Sequence, residues 1–303
     1  MPHHELEETL AEFKGTESAL SLTTGYAASG VVSALVGEGD VVILDRLAHA
    51  CLLDASRLSK AKLRVYKHND MGELSRVLQW ADRQGGQALI VTESVFSMDG
   101  DCAPLSCLVE LKEKHKAWLL VDEAHATGLY GAKRCGMIEK SGVGDYVEIQ
   151  MGTLGKAIGS AGGYICGSKV LIDLMLHRLR PFMFSTAPVP AQVAAARAGI
   201  ELVQSHDGLE RCAKLWDLVG RLTDGLVRRG WKLPVGFGAI LPLMVGDEKA
   251  TMTLSKRLLE GGVFVPAIRY PTVERGKARL RLTVSAAHAS EDIDQLLEAL
   301  GDA

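Results

Sequence analysis

The sequence predicts an α/β fold: a mainly parallel sheet covered by helices on both faces, followed by a smaller α+β region. Three observations carry this expectation. Short apolar runs of buried-strand type recur through the first two-thirds of the chain, among them Val41-Val42-Ile43-Leu44 and Trp118-Leu119-Leu120-Val121. Helical patterns separate these runs, the alternation that a parallel sheet needs. Beyond residue 200 the rhythm changes. Residues 1–200 are therefore expected to form a large domain and 201–303 a small one.

Leu6, Leu10 and Phe13 share one helical face, with Gly15 placed to end the helix. Ala19 to Leu22 reads as a strand, broken at Thr23-Thr24-Gly25, and a helix follows from Tyr26 to Val36. The strand at 41–44 leads to His49 and a helix to about Ser59; Leu63 to Tyr66 is a strand, and 72–83 a helix. Ala88 to Thr92 is a strand, Pro104 opens a helix to about Lys114, and strands follow at 118–121 and 147–149. Gly163 to Cys166 is a short strand and 169–180 a helix that Pro181 ends. A long helix spans 191–205. The last region reads as helix 208–229, strand 240–245, helix 250–260, strands around Phe264 and at 279–284, and helix 291–299 with Ser290 as its cap.

Composition narrows the function. The 303 residues are 47% hydrophobic and 23% charged, as in a globular protein, and the net charge of −3 favours neither nucleic acid nor an anionic membrane. No apolar run approaches the roughly 18 residues of a membrane span, and the N-terminus lacks a signal pattern, so a cytoplasmic location is expected. The six cysteines form no C-x-x-C pair and read as buried free thiols; no metal site is expected.

The most informative stretch is Gly152-Thr153-Leu154-Gly155-Lys156-Ala157-Ile158-Gly159. A phosphate-cradling P-loop would need glycine where Gln150 stands and serine or threonine where Ala157 stands, which excludes it. A solvated lysine in a glycine-rich loop accounts for Lys156 taken alone. A lysine among small residues that loses hydration can also attack a carbonyl and form a Schiff base. Upstream, the strand at 118–121 ends in Asp122-Glu123-Ala124-His125. In open α/β sheets, ligands bind beyond the carboxyl ends of the strands. An acid for a pyridine nitrogen and an imine-forming lysine are the minimum equipment of a pyridoxal phosphate (PLP) site.

Several stretches then occur in order: Asp45-Arg46-Leu47-Ala48-His49-Ala50, His68-Asn69-Asp70, Val95 to Asp101, Asp122 to Gly128, Gly152 to Lys156, and Phe184-Ser185-Thr186. Together they resemble the α-oxoamine synthases, a family of fold-type-I PLP-dependent transferases, over about Leu6 to Leu300. Ala267 to Val273 and Ala278 to Thr283 are similar to the branch that joins L-alanine to a pimeloyl thioester, on CoA or a carrier protein, giving 8-amino-7-oxononanoate for biotin. The glycine C-acetyltransferase branch is the alternative.

The resemblance implies roles. Lys156 would hold PLP as a Schiff base and move the substrate Cα proton, Asp122 would pair with the ring nitrogen, His125 with the ring oxygen, and His49 would stack on the ring. Gly25, Tyr26, Ser97 and Thr153 would hold the phosphate, with Thr186 supplied by the other subunit of a homodimer. Arg281, Thr272 and Arg269 would meet the substrate. The family normally carries a further segment before the helix at Leu6, with a substrate-binding arginine. A chain without it is expected to hold PLP but to condense poorly, or to be an idle PLP-binding fragment.

Overall fold

Apolar runs flanked by turns become strands, and β-branched residues in them are buried on both faces. In a computed structural model, residues 1–233 and 238–303 are described. Contacts divide them into two units, Met1–Val95 with Ala103–Ser205, and Phe96–Cys102 with His206–Ala303.

The first unit holds strands β1 (Ser18–Leu22), β2 (Val41–Asp45), β3 (Lys62–Tyr66), β4 (Ala88–Glu93), β5 (Trp118–Asp122), β6 (Ile149–Thr153) and β7 (Gly163–Gly167). They form one sheet in the order β1-β7-β6-β5-β4-β2-β3. Strands β3, β2, β4, β5 and β6 are parallel, whereas β7 runs antiparallel to both β6 and β1. The carboxyl ends of β1, β2, β4, β5 and β6 therefore share one edge with the start of β7.

Its helices are α1 (Pro2–Lys14), α2 (Gly25–Ala28), α3 (Val31–Leu35), α4 (Ala50–Leu58), α5 (Met71–Asp82), α6 (Leu105–His115), α7 (Met137–Ser141), α8 (Lys169–Arg178), α9 (Arg180–Met183) and α10 (Pro190–Gln204). One apolar cluster joins Val42, Leu89, Leu120 and Ile165 of the sheet to Val31, Leu52 and Met175. Another joins Tyr164 and Cys166 to Leu6, Leu10, Phe13, Val193 and Ile200. The sheet is thus packed on both faces, as its strand composition demands.

The second unit holds α11 (His206–Arg228), β8 (Ile240–Gly246), α12 (Glu248–Glu260), β9 (Ala267–Ile268), β10 (Ala278–Thr283) and α13 (Ser290–Leu300). Its three strands form an antiparallel sheet, β8-β10-β9. The stretch 96–102 groups with this unit: Arg279 Nη1 donates to Asp99 Oδ1 at 2.6 Å and Arg281 Nε to the Ser97 carbonyl at 2.7 Å.

Some expectations are corrected. The helix expected over 26–36 is two short ones. Gly30 lies between them, where an added Cβ would come within 2.9 Å of Pro181 Cγ. Pro181 sits in the first turn of α9, where a missing N–H costs nothing, instead of ending the preceding helix. The strand expected at 147–149 runs from Ile149 to Thr153, so Gly152 and Thr153 belong to it. Phe264 is in no strand and is exposed; the short strand lies at Ala267–Ile268. Cys107 is exposed, whereas Cys51, Cys135 and Cys166 are buried thiols.

Candidate active site

The shared edge of the first sheet collects the chemistry. Asp45, Glu93, Asp122 and Thr153 close β2, β4, β5 and β6. Gly25, Tyr26, His49, Cys51, Glu93, Asp122, His125, Thr153 and Lys156 all line one cavity of about 200 Å³.

Each residue is placed by its local structure. Asp122 is the last residue of β5 and is 6% exposed; its Oδ1 accepts the Ala124 N–H at 2.8 Å, which turns the chain and brings His125 to the cavity. Burial pushes the Asp122 carboxyl up to about 6, against the opposing pull of the Ala124 N–H and the Lys156 charge. His125 Nε2 lies 2.7 Å from Lys156 Nζ. The lysine loop turns tightly: Ser160 N–H donates to the Leu154 carbonyl, and Thr153 Oγ1 donates to the Gly162 carbonyl at 2.9 Å while accepting the Gly155 N–H.

Glycine is required twice at this edge. A Cβ on Gly152 would stand 2.5 Å from the Tyr164 hydroxyl, and one on Gly163 would overlap the Thr24 carbonyl. The first contact packs β6 against β7, and the second presses the turn after β1 against β7. There Thr24 caps α2, so the Gly25 and Tyr26 N–H groups open a helix without intrahelical acceptors. The Tyr26 hydroxyl is engaged with Asp54 Oδ2 at 2.7 Å.

His49 is the N-cap of α4; its Nδ1 accepts the Cys51 N–H and lies 3.0 Å from Cys51 Sγ. Burial, then the Lys156 charge, lowers its pKa, so the ring is neutral at pH 7. Asp45, fully buried, accepts from Leu47 N–H and Asn69 N–H and lies 3.0 Å from His68 Nδ1. Two stretches recognised separately in the sequence, 45–50 and 68–70, are thus tied together through one carboxylate.

The arrangement can hold a flat, anionic ligand bearing a carbonyl. The buried carboxylate would meet a ring-nitrogen donor, the lysine amine the carbonyl, and the helix-start N–H groups a phosphate. These residues fit PLP. Thr186 is exposed, in the loop after α9, and is not among the residues lining this cavity. Ser97, Arg269, Thr272 and Arg281 belong to the second unit; there Arg281 is half-buried, and burial lowers its pKa.

Sequence reading passed over several residues. Glu93 is 2% exposed and faces the cavity, and Cys51 lines it as well. Behind the strand end, Lys14 of α1 makes a buried ion pair with Glu123 and also donates to the Cys135 carbonyl. A charged residue breaking the strand-end pattern beside Asp122 was the available signal for Glu123; Lys14 resembled an ordinary helix-terminal lysine. Among the described residues there is no group of three or more side chains able to hold a metal, and no helix long and apolar enough to cross a membrane.

Known proteins bear on this site. An 8-amino-7-oxononanoate synthase of Symbiobacterium thermophilum is 47% identical over 98% of this chain, which covers 76% of that protein. A serine palmitoyltransferase from S. paucimobilis, solved with a bound PLP–myriocin aldimine, superposes with a TM-score of 0.94 at 31% identity, over 99% of this chain and 75% of its own. An 8-amino-7-oxononanoate synthase from Francisella tularensis superposes at 0.86 and 25% identity, over 99% of this chain and 86% of its own. The aminotransferase class I and II profile matches residues 1–300, and the chain belongs to that family.

Proposed function

We propose that the chain is a PLP-dependent acyltransferase that condenses L-alanine with a pimeloyl thioester, on CoA or acyl carrier protein, to give 8-amino-7-oxononanoate for biotin. The observation that carries this reading is the meeting of Lys156, His125, Asp122 and His49 around one cavity, in a chain 47% identical to a synthase of that name.

PLP, when bound, supplies an electron sink for the substrate Cα. Lys156 would carry it through Nζ, Asp122 would accept the ring-nitrogen proton, and His125 would serve the ring oxygen beside that amine. The N–H groups of Gly25 and Tyr26, with the hydroxyls of Ser97 and Thr153, would hold the phosphate. Lys156 Nζ is then the base that takes the Cα proton, and the neutral His49 ring orients the amino acid. Arg281 suits the amino-acid carboxylate, since a guanidinium forks onto both oxygens; Arg269 and Thr272 belong to the same role. Carbon–carbon bond formation expels the thiol, and the β-keto acid loses carbon dioxide.

A homodimer with Thr186 serving the other subunit belongs to this reading. The stretch before Thr186 exposes Phe182, Met183 and Phe184, with Phe184 69% exposed, apolar surface of the kind a second copy covers. Six free cysteines suit a reducing cytoplasm. A large PLP-binding domain to about residue 200 and a small one after it complete the proposal.

The test is turnover of PLP-loaded protein on L-alanine with pimeloyl-CoA and pimeloyl carrier protein, beside glycine with acetyl-CoA. 8-Amino-7-oxononanoate is the expected product. A preference for glycine and acetyl-CoA would move the chain to the glycine C-acetyltransferase branch, and PLP binding without any product would make it an idle fragment.

A further inference from the structure

We propose that Glu93 is a positioning residue of the Lys156 cavity, a carboxyl that keeps its proton so that the single negative charge at the neighbouring strand ends stays on Asp122. Glu93 ends β4 directly beside Asp122 at the end of β5, in register across the parallel pair. Both side chains are buried and both line the cavity. Glu93 Oε1, fully shielded from solvent, has no hydrogen-bond partner among the described residues.

A buried carboxylate with an unpartnered oxygen is costly, and two carboxyls side by side do not both ionise readily. The groups facing Glu93 decide which one does. The Asp122 and Asp45 carboxylates oppose its charge, the Cys51 thiol is held neutral by burial, and the Lys156 ammonium favours the charge. Asp122 has the Ala124 N–H and the fields of both Lys156 and Lys14, against the opposing Glu123 charge. Burial, then Asp122, raises Glu93 well above the usual carboxylate range, whereas Asp122 rises only to about 6. A neutral Glu93 does two things. It offers an O–H donor inside the cavity, and it does not compete with Asp122 for the positive end of a ligand. The Glu93 proton is a property of the chain itself; only the PLP titration below rests on the PLP reading.

The test uses the full chain without cofactor. Infrared absorption at pH 7 should show a protonated-carboxyl C=O band that Glu93→Gln removes; identical spectra would overturn the proposal. Linkage gives a second readout. Above the unfolded glutamic acid pKa of about 4.3 the folded chain holds one proton more than the unfolded chain, so stability falls with rising pH, by up to about tenfold in the folding equilibrium per pH unit. Glu93→Gln should flatten that decline by up to this amount; an unchanged slope would contradict a retained proton. In PLP titrations Glu93→Gln should bind within about threefold of the parent and Glu93→Ala about tenfold more weakly, since only alanine removes the neutral donor beside Asp122. Equal weakening by both substitutions would show that charge, not a neutral carboxyl, is what the cavity uses. If PLP binds neither parent nor variants, the cofactor reading fails while the infrared band still decides Glu93.

Discussion

Two buried carboxyls lie within one strand end of each other and are treated in opposite ways. Glu123, completely buried, is matched on every side: Lys14 pairs with one oxygen, and the other accepts the Ile138 N–H at 3.0 Å. Burial alone would lower the Lys14 pKa, but Glu123, with smaller help from its other neighbours, more than offsets it and the ammonium is stabilised. Asp122, one residue earlier, has a single backbone donor and no ion-pair partner within 4 Å among the described residues, and it faces the cavity. Satisfied buried charge fixes a loop in place; unsatisfied buried charge is capacity held for a ligand. The same β5–α7 connection needs both, because His125 keeps its place beside Lys156 only while the chain around Glu123 is fixed.

The largest effect expected separates function from stability. Lys156→Ala should lower product formation by about 10⁴-fold or more, because nucleophile and base are lost together. The exposed position should leave unfolding within about 0.5 kcal/mol of the parent. Steady-state assay and urea unfolding check both halves. Substantial residual turnover would remove Lys156 from the chemistry.

The matched pair should behave in the reverse manner. Lys14→Met leaves Glu123 buried without its cation and should cost about 3–5 kcal/mol in urea unfolding. Adding Glu123→Gln should restore a large part of that loss, since the stranded charge is then gone. If the single substitution costs under about 1 kcal/mol, the pair is not the anchor described here.

The smallest effect is a slope. In the cofactor-free chain the Asp122 carboxyl is raised to about 6, above an unfolded value of about 3.9. Folded protein then binds more protons than unfolded protein between those values, so stability falls as pH rises from about 4 to 6, by at most about 1.4 kcal/mol per pH unit. Asp122→Asn should flatten that window, and thermal unfolding at several pH values measures it. A chain that grows steadily more stable across this range in the parent alone would reverse the sign and deny the burial effect.

Much of this contrast was legible in the residues. The strand runs, the first helix with Leu6, Leu10 and Phe13 buried, and the Gly15 cap in left-handed conformation follow from periodicity and backbone chemistry. Lys156, Asp122, His125 and His49 were identifiable because chemically specific side chains stand beside strand ends and glycines. Glu93 was not, since a glutamate ending a strand has the same pattern whether it faces solvent or a cavity. Nor was the split of 26–36 at Gly30, which depends on Pro181, far along the chain.

Local order along the chain therefore determined which segments are strands and helices, that the sheet is mainly parallel, and which lysine and aspartate stand beyond the strand ends, lining one cavity. Tertiary structure alone decided which polar groups are satisfied. Lys14 reaches Glu123 across 109 positions of sequence, and Asp45 draws together His68 and Asn69. Burial and hydrogen-bond completion are properties of neighbours in space, and the strand crossovers that bring those neighbours together leave no periodic mark in the sequence.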